Sequence, residues 1–76
     1  MANEEAKNNS ERLRIGQRIA ELRKEQGMTQ TQLAERCGLQ QAHIARIEAG
    51  KHSVGLDTLA QIADAMGMKI DFIIND

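Results

Sequence analysis

Residues 29–50 read TQTQLAERCGLQQAHIARIEAG, and the order of apolar and polar positions within them decides how the chain folds. Leu33, Ala34 and Cys37 fall on one side of a helix, and Leu39, Ile44 and Ile47 do the same beyond Gly38. Thr29, with Gln32 three residues on, forms a capping-box pattern that opens the first of these helices over residues 30–37. Gly38 suits the left-handed conformation that ends a helix and turns the chain. A second helix runs over residues 40–49 and Gly50 stops it, although Gln40 is a poor N-cap. Gln40, Gln41, Ala42, His43 and Arg46 point away from the apolar side. Helices this short cannot bury their own apolar faces, so the pair needs helices before and after it.

The flanking sequence supplies them. Upstream, Ile15, Ile19 and Leu22 recur at helical spacing with Leu13 nearby, predicting a helix over residues 10–26 with Ser10 as N-cap and Gly27 at its end. Arg12, Arg14, Arg18, Arg23 and Lys24 lie on this helix, and its arginines read as a solvated face except at Arg23. Residues 1–9, MANEEAKNN, are polar and aperiodic and predict a disordered lead. Downstream, residues 51–55, KHSVG, form a loop, and Leu56, Leu59, Ile62, Ala63 and Met66 give a fourth helix an apolar face over residues 56–66. Residues 10–67 thus make one domain. The period then changes: Met68, Ile70, Phe72 and Ile74 alternate with polar Lys69 and Asp71, as in a β-strand, with Ile73 as the exception. A lone strand leaves its backbone groups unpaired, so residues 68–76 predict a dimerisation strand paired antiparallel with a second copy, a short fifth helix being the competing reading.

Composition narrows the function. Seventy-six residues allow one small domain. With one Phe, no Trp and no Tyr, stacking of bases on aromatic side chains is excluded. A single cysteine rules out an intrachain disulfide and a cysteine-based zinc site. No secretory leader or membrane-length apolar run is present, so a cytoplasmic setting with a reduced thiol is expected. The net charge of −1 is not that of a general nucleic-acid binder, but the charges are unevenly placed. Asp57, Asp64, Asp71 and Asp76 fall in the last third, whereas Arg46 and Lys51 flank the central stretch.

The run GMTQTQLAERCGLQQAHIARIEAGK, residues 27–51, resembles the DNA-binding domain of phage Cro and repressor-type regulators, the xenobiotic-response-element family, over about residues 13–66. The resemblance implies an all-α, compact, four-to-five-helix repressor-like domain that binds a palindromic operator in double-stranded DNA as a homodimer. One helix lies across the DNA backbone and the next enters the major groove. It implies base-edge contacts by Gln40, Gln41, Ala42, His43 and Arg46, with His43 the weaker candidate. Backbone contacts fall to Thr29 and Gln30 at a helix start, to Lys51, His52 and Ser53 in the loop, and to Arg23. Arg23 also matches a position that pairs with Glu48 in some members, which makes Glu48 structural. The chemistry agrees: a glutamine amide pairs with adenine, arginine binds both acceptors of guanine, and alanine meets only a thymine methyl.

The chain also departs from the family. Gln40 stands where Ser or Thr is usual, and Ala45 and Ala49 thin the polar contacts around Arg46. The alternating tail resembles members whose C-terminal strands pair across the dimer through residues equivalent to Met68, Ile70, Phe72 and Ile74, including some antitoxins. The expected function is a sequence-specific transcriptional regulator, a repressor acting by promoter occlusion. The alternative is an antitoxin that binds a toxin protein and its own operator. The histidines, Cys37 and the scattered carboxylates form no nucleophile–base pair or metal-ligand cluster, so no enzyme activity, cofactor or metal is expected.

Overall fold

The computed structural model describes the backbone of residues 4–75 and the side chains of residues 10–75. Four helices follow one another, α1 (Glu4–Glu25), α2 (Gln30–Cys37), α3 (Gln41–Glu48) and α4 (Leu56–Ala65). No strand or fifth helix is present among the described residues, so the class is all-α.

The α2–turn–α3 unit forms as its residues dictate. The Thr29 hydroxyl accepts from the Gln32 amide at 3.1 Å, and the Gln32 side chain accepts from the Thr29 amide at 2.8 Å, so two otherwise orphaned donors at the start of α2 are satisfied. At its other end Gly38 takes φ 73, a conformation that strains any residue with a Cβ, and Leu39 N donates to Ala34 O at 2.9 Å. α3 starts at Gln40, which makes no side-chain capping bond. α3 packs on both α1 and α2, while α4 closes against α2.

Leu33, Ile44, Ile47 and Ile62 are the largest fully buried side chains, joined in the core by Ile19, Met28, Ala34, Cys37 and Met66. Burying each of the four large aliphatics stabilises the fold by about 1.5–3 kcal/mol. Leu39, expected inward, packs partly buried against this core. Gln26 Nε2 donates to Met66 O at 2.9 Å, tying the end of α1 to the end of α4.

Several expectations need correction. α1 begins at Glu4, so Ser10 lies inside a helix and does not cap one. Of the lead expected at residues 1–9, residues 4–9 are helical backbone and residues 1–3 lie outside the described residues. Helix formers such as Ala6 and Lys7 favour the extension, as do Glu4 and Glu5 at the positive end of the helix dipole. α3 spans Gln41–Glu48, one residue shorter at each end than expected. Leu56 is 69% exposed because it lies about 120° around α4 from Ile62 at 100° per residue.

The tail carries no strand. A strand needs a neighbour for its N–H and C=O groups, and a single copy of this chain offers none. Met68 and Ile70 still lie beside Ile15, Ile19 and Leu59 and are 37% and 39% exposed. Phe72, Ile73 and Ile74 are 98%, 89% and 90% exposed.

Candidate nucleic-acid interface

The polar side of α3 is joined to the interior by a chain of four side chains. Arg23, at the end of α1, donates from Nε to Glu48 Oε2 at 2.7 Å and from Nη2 to Glu48 Oε1 at 2.9 Å. Its Nη1 donates to Met28 O at 2.8 Å. Gln30 Nε2 donates to Glu48 Oε1 at 3.0 Å, and Gln41 Nε2 donates to Gln30 Oε1 at 2.7 Å. The chain of bonds therefore runs from a buried ion pair to an exposed glutamine on the first turn of α3.

Burial pushes the Glu48 carboxyl up, but hydrogen bonds from Arg23 and Gln30 and the charges of Arg23 and Lys24 outweigh it and hold the carboxyl below its ordinary value. The bond to Glu48 raises Arg23 in turn, against its own desolvation. This pair is structural. Arg23, expected also as a DNA-backbone contact, is 7% exposed, and its Nε, Nη1 and Nη2 each donate within the chain, so in this structure it ties the end of α1 to α3.

A second positioning device is Gly16, which the sequence reading passed over. A Cβ there would lie 2.3 Å from Ile47 O and 2.7 Å from Glu48 O, so α1 touches the C-terminal end of α3 backbone to backbone. A lone glycine inside a helical pattern was the available signal.

The remaining candidates divide by place. On α3, Ile44, Ile47 and Glu48 face inward, while Gln41, Ala42 and Arg46 are exposed and His43 is half-buried. Gln40 is exposed just ahead of the helix. Gln30 is half-buried and brought to Gln41, while Thr29 is exposed with its hydroxyl used in the cap. In the following loop Lys51, His52 and Ser53 are exposed. The His52 ring meets the His43 ring edge to face, centroids 4.9 Å apart, so this loop lies against α3.

Charge is distributed unevenly across the surface. Arg14 pairs with Glu11 at 2.8 Å and Arg18 with Glu21, so part of the α1 basic cluster is neutralised locally. Arg46 and Lys51 enter no ion pair among the described residues. Cys37 is a core side chain, and that burial pushes its thiol up, away from the reactive thiolate. No cluster suited to a metal ion is found among the described residues, and no described helix is long and apolar enough to cross a membrane. An α-helix with one face in a core and a short polar face outward has the dimensions of the DNA major groove.

Comparison with known proteins gives a consistent result. A family model described as helix-turn-helix matches residues 19–73. The chain is 39% identical over 62 residues to an immunity repressor protein of Bacillus phage phi105, a match covering 82% of this chain and 43% of the repressor. The chain thus spans less than half of that relative's length. Its fold is similar to the restriction-modification controller protein C.AhdI from Aeromonas hydrophila, with TM-score 0.78 and 30% identity over 80% of this chain and 88% of that one. It is also similar to a chain of a toxin–antitoxin module from Streptococcus pneumoniae, with TM-score 0.71 and 32% identity over 100% of this chain and 84% of that one.

Proposed function

The chain belongs to the helix-turn-helix family, and from that premise we propose that it is a sequence-specific DNA-binding transcriptional regulator that acts as a repressor. Two copies occupy a palindromic operator in bacterial or phage DNA, in the cytoplasm, and block the promoter. The observation that carries this reading is the division of α3. Its inner face is sealed by Ile44, Ile47 and Glu48, and its outer face offers Gln41, Ala42 and Arg46, with Gln41 held by Gln30 at 2.7 Å. A polar face anchored from behind is suited to reading bases and contributes little to a core.

In this reading Gln41 and Arg46 make the bidentate base contacts, each discriminating by about 1–3 kcal/mol. Gln40, Ala42 and His43 complete the base-facing surface. Thr29 and Gln30, at the start of α2, meet one stretch of DNA backbone, and Lys51, His52 and Ser53 meet another. Met68, Ile70, Phe72 and Ile74 belong to the surface between the two copies.

Selection of bound sites from random duplex DNA, followed by binding of Arg46→Ala, tests the proposal. Arg46→Ala should weaken the selected site at least ~10-fold while sparing random DNA. Equal losses on both would remove Arg46 from base reading, and failure to enrich any site would defeat the proposal. The second reading, an antitoxin that also binds a toxin protein, draws on the similarity to the toxin–antitoxin chain along the whole of this one and on the exposed apolar tail. A toxin encoded beside this gene and forming a stable complex with the purified chain would favour it.

A further inference from the structure

We propose that His43 and His52 are positioning residues, whose ring contact holds the loop after α3 in place so that Lys51 and Ser53 grip the DNA backbone. The inference rests on the proposed operator-binding function and names what sets the grip of its loop. Within that reading His43 acts through His52 and makes no base contact of its own.

The loop is anchored at both ends and untied between them. Its first anchor is backbone: Gly50 N donates to Ile47 O at 3.1 Å and Lys51 N to Arg46 O at 3.0 Å. A Cβ on Gly50 would lie 2.8 Å from Leu13 Cα, so the chain leaves α3 pressed against α1. The second anchor is Val54, which packs against the core ahead of α4. Among the described residues no hydrogen bond or ion pair ties His52 or Ser53 to α3.

The ring contact fills that gap. The two imidazoles meet with centroids 4.9 Å apart and planes 81° apart. That is the edge-to-face arrangement aromatic pairs favour, at separations of about 4.5–7 Å. His43 stands on the first turn of α3 and is half-buried, while Gln41 and Ala42 beside it are exposed. The covering separates its role from theirs. A ring packed on the loop fixes where the loop lies against α3, whereas uncovered side chains stay available to bases. A pair of this kind biases a segment toward its held position by a factor of about 2–10. A loop held in advance tightens binding by up to the same factor, because apparent affinity scales with the fraction already competent. The gain is blind to sequence, since the groups being positioned are aimed at phosphates.

The test has two arms on the full chain, with circular dichroism as a check on folding. The first, without DNA, is NMR relaxation of the Lys51, His52, Ser53 and Val54 amides in the parent and in His43→Ala, His52→Ala, the double variant and His52→Phe. The parent loop should be ordered, with order parameters near ~0.85, and either alanine should loosen it toward ~0.6 or below. The double variant should be no looser than either single one, because both remove the same contact. His52→Phe keeps a ring against His43 and should keep the loop ordered. The second arm is fluorescence anisotropy on a single half-site and on random duplex. There His43→Ala should weaken both about 2- to 10-fold and leave the preferred bases unchanged. A loop equally ordered in every variant would overturn the proposal. So would a loosened loop with no loss on DNA, or a His43→Ala chain that changes its preferred base while the loop stays ordered. If random DNA yields no selected site, the operator reading falls by itself, and the first arm still decides whether the rings hold the loop.

Discussion

Glu48 accepts from Arg23 and Gln30, and through Gln30 it fixes the exposed Gln41, so one buried carboxylate supports the polar face of α3. Removing the charge leaves Arg23 buried without its counter-ion, a loss of about 3–5 kcal/mol in comparable pairs. Glu48→Gln keeps the shape and part of the hydrogen bonding, so a cost near the lower end, about 3 kcal/mol, is expected by urea denaturation at pH 7. The pH dependence has a definite sign. The folded carboxyl titrates below its ordinary value, so its contribution is present above the ordinary glutamate range near ~4.3 and is lost as pH falls through the lower folded value. Glu48→Gln should therefore flatten the loss of stability below about pH 4. A variant with the parent's acid limb would show that other carboxylates set it. Gly16 acts by absence: a methyl there would meet the Ile47 and Glu48 carbonyl oxygens at 2.3 and 2.7 Å. Gly16→Ala should destabilise by about 1–3 kcal/mol despite alanine's higher helix propensity. A stabilised variant would mean that α1 is free to shift along α3.

The helices differ in how well their ends are specified, and that difference sets what the sequence revealed. α2 was legible to the residue because Thr29, Gln32 and Gly38 are local signals that act through backbone bonds to near neighbours. The inward positions Leu33, Ile44, Ile47 and Ile62 were legible through periodicity alone. The start of α1 was not, because a polar lead and a solvated helix have the same composition. Leu56 was misassigned because its angular offset shows only once the helix has a fixed neighbour. At the candidate site, the outward placement of Gln41, Ala42 and Arg46 was legible from helical periodicity, but the Gln30–Gln41 and His43–His52 contacts join different elements and no spacing encodes them. Arg23 had two readings open, and only packing could choose the buried pair. The weak point of α3 was visible in advance: Gln40 makes no capping bond. Gln40→Ser should supply the missing acceptor and stabilise the domain by about 0.5–1 kcal/mol, raising Tm by about 3–6 °C in a scanning calorimeter. An unchanged Tm would show that water already satisfies the first-turn amides of α3.

For the molecule as a whole, a net charge of −1 and the pairing of Arg14 and Arg18 with acids on α1 limit how much binding counter-ion release can drive. Each copy brings Arg46 and Lys51 to the proposed interface without an acidic partner among the described residues, while Gln30 and Gln41 are neutral. In the proposed function, affinity depends on hydrogen bonds to bases and on joining two weak half-site contacts in one dimer, and acids such as Asp57 and Asp64 oppose close approach of DNA to the α4 face. The salt dependence follows from the count. About one or two cations per copy set against phosphate give a dimer a slope of roughly −2 to −4 in log K against log salt, by the relation of about −0.9 per phosphate neutralised. Fluorescence anisotropy with the selected operator between 50 and 300 mM KCl measures it, and Lys51→Ala should flatten the slope by about 1–2, since a dimer loses two such contacts. A slope near −8 would mean that a wider basic surface engages the DNA, including the arginines of α1. In that case the acidic pairs on that helix would have to open on binding, and the division of the molecule into a reading helix and a first helix whose outer face is only solvated would fail.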